Sequence, residues 1–226
     1  MKTLTRILVL LIFIFLALSL SSPNKRDIMV IGDSISLAYG PFLSEILSDD
    51  YNYTTKNTGE NVGNLDYPSG PNAGDSKMVL SYLKDFFSQK PKVNLILLNS
   101  GLHDIKKDKK TGKVAISEQE YTKNLSAIFT LIKTQKIPLV WINSTPVNDT
   151  IHNSKNVGFY RYNADVLKYN QIADSLCRKN KIIQINLHHF SSKFPVNAYK
   201  DHVHYTDEYA KLQASYIAGF LSNIKK

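Results

Sequence analysis

The side chains best suited to covalent chemistry sit near opposite ends of the chain: Ser34 in "GDSIS" (32–36), and Asp201 with His204 in "DHVHYT" (201–206). A serine hydroxyl is a weak nucleophile until a base takes its proton, and the base needs an acceptor that fixes its tautomer and steadies its imidazolium. Asp201 and His204, three positions apart, can meet the second need inside one loop, leaving the other imidazole nitrogen to reach Ser34. His202 adjoins Asp201, does not close the same turn, and is expected to face solvent. Ser36 is the other hydroxyl of the first stretch and lies deeper into the helix start. Both stretches also have plainer readings: Ser34 or Ser36 as a helix cap, and Asp201 and His204 as polar residues ahead of a helix.

Those side chains can meet only if the elements between them fold suitably. Five β-rich runs, at 27–32, 51–57, 93–99, 138–143 and 181–186, alternate with helical patterns. Several are almost wholly apolar, as expected for parallel strands buried on both faces. Helices are predicted near 37–48, 76–88 and 163–179, with a clearer one from Ser117, where Ser117 and Glu120 make a capping box. Another follows Thr206, with Tyr209, Leu212, Tyr216, Ile217 and Phe220 predicted to face inward. Alternation of this kind predicts a doubly wound α/β fold, a five-stranded parallel sheet with helices on both faces. Such sheets bind ligands beyond the carboxyl ends of their strands. Ser34 stands directly after the first strand, at a helix N-terminus that favours a developing negative charge.

With 226 residues, the chain suits one domain that buries a core without staples. Lys2 and Arg6 precede an unbroken apolar run over 7–18, followed by small and polar residues with a cleavage site expected near Ser21 or Ser22. This pattern predicts a signal peptide over 1–22, an exported or periplasmic protein, and a single domain over 23–226. The run is shorter than the roughly 20 residues of a spanning helix, so a membrane is expected as partner only through an uncleaved leader. Cys177 is the one cysteine; no disulfide can form within the chain, and a small buried hydrophobe is expected there.

The net charge of +9 owes much to "KKDKKTGK" (106–113), which reads as a solvated loop. No nucleic-acid-binding motif accompanies it, and no nucleic-acid partner is expected. His188, His189, His202 and His204 lack helical metal-ligand spacing, and no metal site or cofactor is expected. The long stretch 144–163 is a candidate substrate wall, with Phe159, Tyr160, Arg161 and Tyr162 available to a sugar or to simple packing.

Four blocks in order, "GDSIS", "NAGDS" (72–76), "NSGLHD" (99–104) and "DHVH" (201–204), resemble those of the SGNH or GDSL hydrolases over nearly the whole chain beyond residue 22. The resemblance implies a flavodoxin-like fold and ester hydrolysis without a cofactor, with Ser34 as nucleophile, His204 as base and Asp201 as its orienting carboxylate. It also implies an oxyanion hole built from the N–H groups of Ser34 and Gly74. The third block departs from the family pattern: His103 stands where an asparagine donor is usual. An imidazole can donate in its place, or His103 can be a loop residue satisfied locally. The blocks look nearer to acetylesterase-type members, which implies a small acyl ester or an acylated glycan as substrate. A lipolytic esterase, a thioesterase, an acyltransferase or an inactive carbohydrate-binding relative would use the same framework.

Overall fold

The computed structural model describes residues 24–57, 68 and 70–224. The expected leader and its cleavage site lie outside these residues. Five strands, β1 (Arg26–Ile31), β2 (Tyr51–Thr55), β3 (Leu95–Leu98), β5 (Leu139–Ile142) and β7 (Ile183–Ile185), form one parallel sheet in the order β2-β1-β3-β5-β7. Its center is apolar on both faces: all four side chains of β3 and the last four of β1 are buried, which requires a helical layer on each side. Val30 lies opposite Leu97, Ile96 opposite Leu139 and Val140 opposite Ile183, so the central strands share one register.

The main helices are α1 (Ser34–Ile46), α2 (Ser76–Ser88), α3 (Glu118–Thr134), α5 (Asn163–Asn180) and α7 (Asp207–Ile224). One layer joins α1 to α7, and the other runs α2, α3, α5. The α3 start is capped as expected, with Ser117 Oγ accepting from the Glu120 N–H at 3.2 Å. Cys177 is fully buried on α5, and burial pushes its thiol up to about 12, so it packs as an inert hydrophobe.

The inward face of α7 differs from the predicted one. Ala210, Ala214, Ile217, Ala218 and Leu221 are buried, whereas Leu212 is 44 % exposed and Tyr209, Tyr216 and Phe220 are half-buried. Small residues allow α7 to lie close against α1; the large ones fit only along its flank, where Tyr216 stacks on Phe190 with ring centroids 4.2 Å apart.

Two expected loops also carry structure. Within 144–163 lie α4 (Asp149–Ser154) and a short strand β6 (Phe159–Tyr160). It pairs antiparallel with β4 (Lys107–Asp108) from the lysine-rich run. Lys106, Lys107 and Lys109 place their ammonium groups over Phe159, Tyr162 and Tyr160 at 4.4, 5.1 and 5.1 Å. Cation–π attraction and the Lys107–Asp165 ion pair at 2.6 Å give this ribbon partners that a solvated loop would lack. A short helix α6 (Leu187–Ser191) completes the set after β7.

Counted within the main sheet, the strand order is 2-1-3-4-5, so the winding reverses between β1 and β3. Ligand sites of such sheets lie at that reversal, past the carboxyl ends of the strands. Ser34 follows β1 there, and the turn at 99–104 follows β3.

Candidate active site

The first turn of α1 is built around Asp33, which caps it: Asp33 Oδ1 accepts from the Ile35 N–H at 3.0 Å. Neither Ser34 nor Ser36 is the cap; Ser36 Oγ donates to the Asp33 carbonyl at 2.6 Å. Gly32 makes this strand-to-helix turn possible, since a Cβ there would lie 2.7 Å from Ser36 Oγ. Ser34 becomes the first helical residue, and its N–H has no acceptor within the helix. Burial raises the Asp33 carboxyl, while its hydrogen bond from Ile35 and the nearby Arg161 and His204 pull the other way.

The loop that carries Asp201 and His204 is pinched shut by its own neighbours. Tyr199 and Tyr205 form an antiparallel bridge with stacked rings 4.8 Å apart, and the Lys200 N–H donates to the His204 carbonyl at 2.9 Å. Inside, Asp201 Oδ1 accepts from the N–H groups of Val203 at 2.9 Å and His204 at 2.8 Å. Asp201 Oδ2 lies 2.7 Å from His204 Nδ1. On the far side of the ring, His204 Nε2 lies 2.8 Å from Ser34 Oγ, across 170 positions of sequence. The structure thus brings Ser34, His204 and Asp201 into one line. With Nδ1–H donating to Asp201, Nε2 is free to accept the Ser34 proton. Burial alone would raise the Asp201 carboxyl, but the hydrogen bonds from the His204 ring and the two N–H groups outweigh it and hold Asp201 well below the usual carboxylate range.

Gly74 and His103 arrive on two further loops. The Ala73 N–H donates to the Gly32 carbonyl at 2.9 Å, which ties the Gly74 loop to the Ser34 turn. Gly74 has φ +73°, and a Cβ there would meet Met78 Sδ and Pro68 Cβ at 2.7 Å. Its N–H donates to Asn72 Oδ1 at 3.0 Å, so the donor is already engaged and must be shared or released to meet an oxyanion. His103 is 4 % exposed in the turn after β3. The turn is held on both sides: the Leu102 carbonyl accepts from Arg161 Nε at 2.8 Å, and the Asp104 carboxylate accepts from the Ser76 N–H at 2.9 Å. Asp104 therefore holds the first N–H of α2, alongside the N-cap Asp75, and also accepts from Ser100 Oγ at 3.1 Å. Burial pushes its carboxyl up to about 7, against the hydrogen bonds from Ser76 and Ser100.

His202 departs from expectation. It is 7 % exposed, and its Nδ1 lies 2.9 Å from Nδ1 of the fully buried His152 on α4. The His202 ring lies between those of His204, at 5.9 Å, and His152, at 4.8 Å, so packing of α4 against the loop takes it out of solvent. Neither His152 nor Arg161 carries a local signal of its place; each lies within the long connection and is buried by tertiary packing. Arg161, offered above as a possible sugar contact, is 2 % exposed and lies over the Phe159 ring at 4.8 Å. Among the described residues, no three His, Cys, Asp or Glu side chains gather in a group that could hold a metal.

A model of the GDSL-like lipases and acylhydrolases matches residues 28–217. The chain belongs to this family. It is an ester-hydrolysing enzyme. No curated protein matches it. Among solved structures, an acetyl xylan esterase is similar at 17 % identity and TM-score 0.65, over 85 % of this chain and 98 % of its own. A lipase/acylhydrolase from Enterococcus faecalis is similar at 13 % identity and TM-score 0.66, over 88 % and 96 %. A carbohydrate acetylesterase from Sinorhizobium meliloti is similar at 12 % identity and TM-score 0.60, over 88 % and 100 %. At these identities the likeness is one of fold, the doubly wound α/β architecture described above.

Proposed function

We propose that the chain is an exported serine esterase that removes short acyl groups, acetyl foremost, from a carbohydrate or similar polyhydroxylated substrate. The observation that carries this reading is the line of contacts from Ser34 Oγ to His204 Nε2 at 2.8 Å and from His204 Nδ1 to Asp201 at 2.7 Å. Ser34 attacks the ester carbonyl as His204 takes its proton, and Asp201 steadies the imidazolium. The tetrahedral oxyanion is met by the N–H groups of Ser34 and Gly74 and by the His103 ring. His204 returns the proton to the leaving alkoxide; it then deprotonates a water that releases the acyl group and frees Ser34.

The substrate class rests on analogy with the acetyl xylan esterase and the carbohydrate acetylesterase. Export rests on the charged and apolar N-terminal pattern. A fluorophosphonate probe tests the site: covalent labelling of the chain that vanishes in Ser34→Ala supports it, and a folded protein that takes no label overturns it. Turnover of p-nitrophenyl esters of rising chain length and of acetylated glycans tests the acyl group. Preference for long acyl chains would replace the acetylesterase reading with a lipolytic one.

A further inference from the structure

Beyond the line from Asp201 to Ser34, a second chain of imidazoles leads away from the base. The ring of His202 lies 5.9 Å from that of His204 and 4.8 Å from that of His152, which in turn packs against Phe159 at 5.6 Å. The 2.9 Å approach of the two Nδ1 atoms holds a single proton. One ring donates through Nδ1–H, and the other accepts with its own proton on Nε2, because two Nδ1–H groups would point at each other. The contact is selective for a partner that can donate or accept at that place.

The mounting of His152 gives it a route to both sides of the site. Asn148 caps α4, accepting from the Ile151 N–H at 3.0 Å. The Asn153 side chain bonds Arg161 in both directions, donating to its carbonyl at 2.9 Å and accepting from its N–H at 3.1 Å. Arg161 then holds the Leu102 carbonyl, one residue before His103. The base loop and the turn after β3 are thus both tied to α4 and β6, through His152 and Arg161 respectively.

We propose that His152 is a positioning residue for the base. By hydrogen bonding His202 it fixes the one backbone turn in which Asp201 and His204 face each other and His204 Nε2 faces Ser34. The proposal rests on the esterase reading of that line only for its kinetic consequence.

The test replaces His152 by Phe, which fills the space without either nitrogen, and by Asn, whose amide restores a donor and an acceptor near the Nδ1 position. His152→Phe is expected to lower kcat on a short acyl ester about tenfold with KM within about twofold, since small misplacements of a catalytic group act on the chemical step. His152→Asn is expected to recover most of that loss. In parallel, the imidazole proton spectrum of the full chain reads the His204 Nδ1–H held by Asp201: it should weaken in the Phe variant and return in the Asn variant. Unchanged kcat and an unchanged His204 resonance in a folded His152→Phe protein would overturn the proposal, as would an Asn variant no better than Phe. A resonance that follows the expected pattern in a protein without esterase turnover would leave the positioning role standing and remove the esterase reading.

Discussion

The two ends of the parallel sheet are built for opposite tasks. At the carboxyl end, side chains that water would ordinarily claim are buried together: Asp33, Ser34, His103, Asp104, Thr145, His152, Arg161, His202 and His204. A small internal cavity of ≈ 10 Å³ lies beside Asp33 and Thr145 there. At the amino end lies a much larger groove of ≈ 410 Å³, lined by Phe129, Ile132, Ile137, Leu139 and Ile183 and rimmed by Lys133, Lys136 and Lys181. Among the described residues, its lining carries no hydroxyl, thiol, imidazole or carboxylate. Buried polar groups distinguish the carboxyl end, where the candidate site lies, because each costs free energy to desolvate. The lysines of the amino end have a simpler origin: Lys133 lies in the last turn of α3, and Lys136 and Lys181 lie just past the ends of α3 and α5, where cations suit the dipole. Lys136 and Lys181 hold the left-handed conformation, with φ of 58° and 56°, where glycine is usual.

If the contrast is sound, substitutions at the two ends should differ by orders of magnitude. Ser34→Ala is expected to reduce kcat by about 10⁴-fold or more while the fold persists; steady-state turnover and circular dichroism check this, and a fall of less than tenfold would detach Ser34 from the reaction. His103→Ala is expected to cost about 10²-fold in kcat, with His103→Asn largely retaining turnover. An Ala variant with full turnover would remove His103 from the oxyanion hole and leave Ser34 and Gly74 as its donors.

Asp104 sharpens the comparison through pH. Its folded carboxyl titrates at about 7, above the unfolded value, so between about pH 4 and pH 7 the folded state holds the extra proton and stability from this group falls as pH rises. Asp104→Asn mimics the protonated form. Relative to the parent, the variant should gain stability across that window by up to about 1.4 kcal/mol per pH unit, read from urea midpoints at several pH values. Parallel curves would show that folding does not raise the Asp104 carboxyl.

At the amino end the expected effects are smallest. Lys136→Gly and Lys181→Gly should each raise stability by about 0.5 kcal/mol, as relief of the left-handed strain outweighs the entropy of the unfolded glycine. Turnover should not change. A loss of activity in either variant would mean that the two ends communicate.

How much of this was legible beforehand varies by element. The α2 bounds of 76–88 match expectation, since a strong apolar period and the capping Asp75 both act locally. The inward face of α7 did not, because helical periodicity marks an apolar stripe without telling whether large or small residues will meet the neighbouring helix. The ribbon of β4 and β6 escaped for a related reason: two residues on each side carry too little pattern to declare a strand. In the candidate site, the spacing of Asp201 and His204 pointed to their contact, and the third block pointed to the turn that buries His103. The engaged Gly74 N–H and the contact of His202 with His152 had no such sign.

Residue types and short-range spacing were enough to lay out five strands, their intervening helices and the loop in which Asp201 can hold His204, because those features depend on backbone propensity, apolar period and the reach of a side chain over a few residues. Folding alone decided that an imidazole would come within 2.8 Å of a hydroxyl 170 positions away, and that His202 would turn toward α4 and away from water. Contacts of that kind arise when separate segments compete for the same buried space. No stretch of sequence records which of them will lie across from it.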